Sequence, residues 1–503
     1  LIRSTFPLFA LTAAFLHAGT IQGVVLEQAS GRPLARTIVR LDPVPKSGGE
    51  QAQPLITRAG RSGHFVFPVV APGLYLLIAL RDGYFPAACG QKLPTGRGRP
   101  VEVTADSDLF AELRLRHKGA ITGRVLDENG VGALGVSVVA YHARLPLRSA
   151  GRGESDDRGV YRIPGLDPGK YWVRSAAHTL DDGSGWLPTF GPEAREIRDA
   201  RTLRVTVDAD TADGDISPEP GRLFHLAGTI ACDTKGAVIV VVSSETGRRR
   251  AQAARNNVYR FDGLAPGADE VFAALPDGSA SGFIELFLDH DSDAGNVQVM
   301  QLPSVDIEVR GANGAALDTP VTLIGRRQDL SESEPAREIK GPRAILAPGH
   351  WEFRARVRPG KYVESISGSY ALRRPWRPER PSDWFDVFIE PRFATRIRIT
   401  VSDRSGRIAG RVIAGAKPAP GAPVFLWPVA DTARRSLGGP LQVVSDTEGR
   451  FHFDSLPPGD DRALASFDIP EIDEELLELS QAITVHAAAS ETATVDLGVW
   501  SPP

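Results

Sequence analysis

A Pro-Gly pair recurs along this chain at nearly even intervals, each time between two short apolar runs. "FVFPVVAPGLY" ends at Tyr75, "YRIPGLDPGKY" at Tyr171, "YRFDGLAPGAD" at Asp269, "EFRARVRPGKY" at Tyr362 and "FHFDSLPPGDD" at Asp461. The prolines are Pro72, Pro168, Pro266, Pro359 and Pro458, so successive steps are 96, 98, 93 and 99 residues. Proline presets φ near −65° and glycine supplies a positive φ, so each pair makes a tight corner between strands. A period this long exceeds that of solenoid repeats and lets each copy bury its own core. The 503 residues are too many for one core and divide naturally into five.

A second signature opens the copies: "GTIQGVV" from Gly19, "GAITGRV" from Gly119 and "GRIAGRV" from Gly406. Apolar residues alternate there as in a half-buried strand. Copies three and four are more divergent, and Ile307 stands where the others place the second glycine. Before the corner, Gly63, Gly159 or Gly449 closes a hairpin turn. Pairs such as Phe65 and Phe67, Tyr161 and Ile163, or Phe451 and Phe453 then enter the core from one face. A tyrosine three residues after the proline can bury its ring and tie its hydroxyl to backbone across the corner. The fifth copy has Asp461 there, which must turn outward or be desolvated. The pattern predicts five tandem antiparallel β-sandwiches of about seven strands, an all-β chain.

These residues resemble the carboxypeptidase regulatory-like domain, a transthyretin-like β-sandwich found beside metallocarboxypeptidase domains and in bacterial envelope proteins. The resemblance covers nearly the whole chain and is strongest in copies one, two and five. It implies the non-catalytic companion domain without its enzyme. It also implies overlap with carbohydrate-binding-like sandwiches, which leaves sugar binding open.

The ends and boundaries follow. Arg3, the apolar run "FPLFALTAAFL" and Ala18 have the layout of a secretory leader over residues 1–18. The run is too short to span a membrane. The units are then 19–117, 118–220, 221–303, 304–402 and 403–503, giving an exported periplasmic or extracellular protein. A net charge of −4 gives no case for nucleic acid. Cys89 and Cys232 fall in different units and are expected to be unpaired.

Catalytic patterns are missing from the sequence. None of the ten histidines has a glutamate three positions later, and no HExxH, GxSxG or phosphate loop occurs. No cofactor or metal is implied. The string "DHDSDAG" (Asp289, Asp291, Asp293) imitates a calcium loop, but its glycine is one place late and Met300 stands at position twelve; it reads as a hairpin tip. The basic string "GRRRAQAAR" reads as a solvated loop between strands.

Variation concentrates between the penultimate and last strands of each unit, where repeat proteins usually carry binding. The insertions are "DGYFPAACGQKLPTGRGRP", "HTLDDGSGWLPTFGPEAREIRDA", "YALRRPWRPERPSDW" and "DIPEIDEELLELSQ". The last is expected to be the one helix, capped by Asp468, with Ile472, Leu476 and Leu479 on one face. Trp186, Trp376 and Trp384 fall in the insertions, the last two near Arg374 and Arg377. Flat indoles beside polar donors suit sugar rings, and they suit plugs between domains equally. The functional expectation is a structural and adhesive array that presents loops to a protein partner. The alternatives are a carbohydrate-binding array for polysaccharide at the cell surface, and an accessory chain of a separate peptidase.

Overall fold

The computed structural model describes residues 18–46, 52–144, 147–180, 184–232, 237–244, 247–252, 257–276, 278–302, 304–328, 334–369, 382–390 and 394–502. The segment expected to be a secretory leader lies outside the described residues except for Ala18. The chain is all-β, and its strands group into five successive sandwich units in the expected order.

One sheet of each unit is built on its opening strand. Gly19–Glu27, Gly119–Arg124, Phe224–Cys232 and Gly406–Ala414 each pair antiparallel with the strand that precedes the corner. On its other side each opening strand pairs in parallel with the closing strand, for example Gly23 with Ala111 and Ile408 with Ala493. Every unit therefore contains a parallel pairing of its opening and closing segments, made by two short strands in unit five, within an otherwise antiparallel scheme. The second glycine of the opening signature is explained by this pairing. A Cβ at Gly23, Gly123, Gly228 or Gly410 would lie 1.9, 2.3, 2.0 or 1.6 Å from a carbonyl oxygen of the closing segment. No side chain fits at that separation.

The other sheet is built on the strand that leaves the corner. Ile38–Pro43 pairs with Gly73–Leu80, and the same arrangement recurs in each unit, ending with Pro423–Pro428 against Gly459–Ala465. Unit three departs from two separate sheets. Its Ala280–Leu288 strand pairs with both Gly267–Ala274 and Val297–Gln301, joining seven strands into one sheet. The basic string lies partly in that sheet: Gly247–Gln252 is an edge strand paired with Ile239–Ser244, not a solvated loop. Alternation of small and long residues there carries too weak a signal against three successive arginines.

The aromatic pairs before the corner enter the core as expected. Phe65 and Phe67, Tyr259 and Phe261, and Phe451 and Phe453 each meet edge-to-face, with ring centroids 6.2, 5.8 and 6.1 Å apart. The turns preceding them use Gly63, Gly159 and Gly449, all with φ near +75°. Asp156 and Asp446 brace two of these turns, each accepting two backbone N–H bonds through one oxygen.

The corner itself requires one correction. In unit four it is Pro348-Gly349, not Pro359-Gly360, because the strand that leaves it is Gly349–Arg356. Trp351 occupies the tyrosine position, and its indole N–H donates to the Ala347 carbonyl at 2.8 Å. That matches the Tyr75 hydroxyl on Ala71 and the Tyr171 hydroxyl on Asp167, both at 2.9 Å and both four residues back. Tyr362 instead begins an additional strand, Tyr362–Gly368, which pairs with the closing strand. A matching "RPGKY" string misled the sequence reading, whereas "LAPGHW" carries the corner.

Units three and five place aspartate at the corner, and both side chains stay inside. Asp269 is 1% exposed and Asp461 4% exposed. Neither oxygen of Asp269, nor Oδ2 of Asp461, has a hydrogen-bond partner among the described residues. Burial pushes each carboxyl up to about 7, with Asp460 adding to the effect at Asp461.

The expected helix in unit five is shorter than the sequence suggested. It spans Glu474–Leu479 and is capped by Asp473, which accepts from the Leu476 N–H at 2.8 Å. Asp468 is buried upstream and accepts from the Ser501 hydroxyl. Ile472 and Leu477 point inward, while Leu479 is 63% exposed. A six-residue helix cannot carry the face that a longer one would have shared. A second α-helix, Asp431–Leu437, ends at Gly438 with φ of +78°.

Two outcomes follow from this packing. Gly410→Ala should destabilise the full chain by about 1–3 kcal/mol or more, since the closing strand must shift. Gly498→Ala meets nothing within 4 Å and should change stability by no more than about 0.5 kcal/mol. Chemical denaturation of both variants checks this. The buried corner aspartates set a pH dependence of definite sign. Their folded pKa values lie above the ordinary carboxylate value, so stability is greatest when both are neutral. It should fall as pH rises from about 4 through 7, by at most about 4 kcal/mol for each group. Asp269→Asn with Asp461→Asn should flatten that decline and raise the denaturation midpoint at pH 8.

Candidate functional site

The insertions were the candidate binding elements, and the described ones mostly contact other units. In unit one, Gln91 stitches its own loop, accepting from the Ala88 N–H and donating to the carbonyls of Pro94 and Gly96. Beyond that stitch the Arg97 N–H donates to the Phe467 carbonyl at 2.7 Å, and the Arg99 guanidinium sits 4.8 Å above the Phe467 ring. Phe467 immediately precedes the insertion of unit five, so segments at opposite ends of the sequence meet. Further along the same insertion, Glu475 pairs with Lys170 of unit two at 2.6 Å. Unit five also donates from the Thr447 N–H to the Pro45 carbonyl. The array thus folds back on itself.

In unit two, Trp186 lies on the short strand Gly185–Trp186, which pairs with His178–Thr179 and Pro220–Gly221. Trp186 is 6% exposed and stacks on His178 at 5.7 Å. Leu187 and Phe190 beside it are buried, and Arg174 covers the Phe190 ring at 4.7 Å. This indole does not face solvent.

Trp384 is 8% exposed, held between the guanidiniums of Arg326 at 4.3 Å and Arg354 at 4.7 Å. Trp376, Arg374 and Arg377 lie outside the described residues. The described arginines around Trp384 come from strand interiors. Arg326 pairs with Glu352 through both its Nε and Nη2, at 2.7 and 2.5 Å. Burial, aided by the Glu352 charge, pushes the neighbouring Asp386 carboxyl up to about 6. His350, on the same strand as Glu352, is driven down to about 4 by burial and by Arg327, so it is neutral at pH 7.

This face of unit four is a junction. Arg327 crosses to unit three and pairs with Glu270 at 2.5 Å, both side chains nearly fully buried, and its guanidinium lies 4.4 Å from the Phe272 ring. Phe283 of unit three meets Phe388 at 6.3 Å. From unit five, Arg435 donates to the Ser382 carbonyl, the Ser436 hydroxyl to the Val363 carbonyl, and Arg434 approaches Asp383 at 3.8 Å. Arg148 of unit two is close enough for Arg326 to lower its pKa, in addition to the effect of burial. Arginines in strand interiors, as in "TLIGRR" and "HWEFRAR", were the available sequence signal: a charge on an otherwise buried face needs a partner.

A polar cluster of another kind lies at the end of unit one, where the His117 N–H also donates to Asp208 of unit two at 2.6 Å. The Glu27 carboxylate accepts from Ser30, from Tyr84 at 3.0 Å and from His117 at 2.6 Å. Those bonds hold Glu27 down at about 2, the Ser30 bond most of all. The carboxylate stands between the hydroxyl and the imidazole, so His117 cannot take the Ser30 proton as a general base. The Asp289–Asp293 string serves structure: Asp291 accepts from the His225 N–H at 2.9 Å and pairs with Arg222. No group of three or more His, Cys, Asp or Glu side chains is placed to hold a metal among the described residues. Neither Cys89 nor Cys232 is in a disulfide. No described helix is long and apolar enough to cross a membrane.

No family model matches the chain, and no curated protein matches it. Solved structures do show similarity. The minor pilin GBS52 of Streptococcus agalactiae is 13% identical, over 41% of this chain and 97% of that one, with a TM-score of 0.25. The Bacillus anthracis TIE protein is 10% identical, over 74% and 69% of the two chains, with a TM-score of 0.17. Two B repeat units of the Staphylococcus aureus collagen binding protein are 10% identical, over 76% and 99%, with a TM-score of 0.13. No function is drawn from likenesses of this size.

The junction role of Trp384 has a measurable consequence. Trp384→Ala should cost about 3–5 kcal/mol through the cavity it leaves and the guanidiniums it uncovers. Thermal denaturation should show a lowered midpoint, whereas a free stacking platform would leave it unchanged.

Proposed function

We propose that this chain is an exported, non-catalytic scaffold of carboxypeptidase regulatory-like units that presents its loops and edges to a protein partner at the cell envelope. The observation that carries this reading is the use of the insertions as joints. Trp186 and Trp384 are buried, and Phe467 is shared between units one and five. Side chains engaged in that way hold the units in one arrangement, and neither Trp186 nor Trp384 presents a free flat face to a sugar ring. The Ser30–Glu27–His117 order and the tied Asp291 support a chain that carries out no hydrolysis. Export is supported by the leader-like segment that precedes Gly19.

The test is a glycan array probed with the secreted full chain, joined to N-terminal sequencing of that material. The expected outcome is a mature terminus at or near Gly19 and no saturable glycan binding. Saturable quenching of tryptophan fluorescence by a polysaccharide, with an unaltered melting temperature, would favour the carbohydrate-binding array instead.

A further inference from the structure

The five closing strands are not treated alike. Those of units two and five are short, Asp210–Thr211 and Thr492–Thr494. That of unit three, Val297–Gln301, is paired at its end by Ala280–Leu288, and that of unit four, Arg396–Ser402, is covered by Tyr362–Gly368. In unit one the closing strand Asp108–Leu115 runs eight residues beside Gly19–Glu27 and has no strand on its other side among the described residues. A long, open edge is what folded β-proteins ordinarily shorten or cover.

Which groups the edge offers can be worked out. The Ser107 and Leu115 carbonyls accept from Thr20 and Gln28 at 2.7 and 2.8 Å, so the odd-numbered positions between them turn toward the opening strand. The even-numbered positions, Asp108, Phe110, Glu112 and Arg114, turn their N–H and C=O groups outward. Phe110 is 65% exposed on this strand, beside an exposed Val66 two strands away across Gln22. The corresponding outer position of unit two, Arg162, is instead paired with Asp210.

Beside the second half of this edge lies a cleft of about 260 Å³, whose far wall is the stitched insertion loop carrying Lys92, Leu93 and Pro94. A shallower depression that shares Lys92 continues toward Arg99 and Ser501 of unit five. The charge in the two is one-sided. Lys92, Arg99 and Arg116 line them, and the only carboxylate there, Glu112, is already paired with Arg114.

We propose that the open edge of Asp108–Leu115 and its basic cleft bind an acidic segment of a partner protein, added as an extended strand to the sheet of unit one. Main-chain bonds to the four outward positions supply the attachment, and Lys92 and Arg116 select for carboxylates. This names the partner chemistry within the scaffold reading above and rests on that reading.

The experiment titrates the full chain against a labelled eight-residue peptide of alternating glutamate and valine, with the lysine–valine peptide as control. Fluorescence anisotropy should show saturable binding of the acidic peptide only, weakening as salt is raised. Lys92→Glu with Arg116→Glu should reduce affinity at least tenfold at an unchanged melting temperature. Phe110→Pro should do the same by removing an outward N–H without touching the ladder to the opening strand. If that variant fails to fold, the charge-reversal pair decides. Absence of saturable binding, or equal binding by the charge-reversal chain and the unaltered one, overturns the proposal. Failure of the scaffold reading would appear separately, as glycan binding on the array.

Discussion

Each unit depends on running its first and last strands side by side in the same direction. The parallel pairing carries the chain along the opening strand, so it leaves unit one beside Glu27 at the strand's far end, and unit two starts there. The contact is possible because the opening strand presents a glycine where the closing backbone crosses it: at Gly410 a side chain would occupy the space of the Val495 carbonyl oxygen. Unit four shows the alternative. With Ile307 in that position, its closing strand pairs in register over six residues and is backed by an additional strand, so the closure is spread along the ladder.

The corner is the second shared device, and it tolerates three chemistries. Tyrosine and tryptophan bury a ring and return one hydrogen bond to a carbonyl four residues back, which satisfies their single polar group. Aspartate does neither and remains inside, so units three and five hold a carboxyl that burial keeps near its neutral form. The same position thus adds plain stability in three units and a dependence on pH in two.

Between units the contacts are chiefly polar and aromatic. Arg327 with Glu270 bridges units three and four, while Arg326 with Glu352 and the guanidiniums around Trp384 desolvate charge within unit four beside that junction. Removing one partner of a buried pair leaves the other uncompensated, which makes such joints specific in geometry as well as adhesive. Among the closing strands of the described residues, that of unit one is the longest left with an open edge.

Local pattern was enough to determine the all-β class, the fivefold repetition, the turn at Gly63, Gly159 and Gly449, and the inward aromatics. Each of these depends on residues within one or two strands, where alternation and φ preference act directly. The parallel closing pair, the Trp351 corner, the strand at Gly247–Gln252 and the short helix capped by Asp473 were decided by tertiary structure. For the closing pair the deciding neighbour lies far along the chain, and for the corner "RPGKY" competes with "LAPGHW" as a similar local string. The candidate site divided on the same line. Sequence could mark Trp186 and Trp384 as aromatic residues in insertions, but a flat ring in a loop suits a sugar or a neighbouring domain equally. Only the arrival of Arg326 and Arg354 from other strands of unit four, and the folding of the insertion that lays His178 on Trp186, determined what those rings touch.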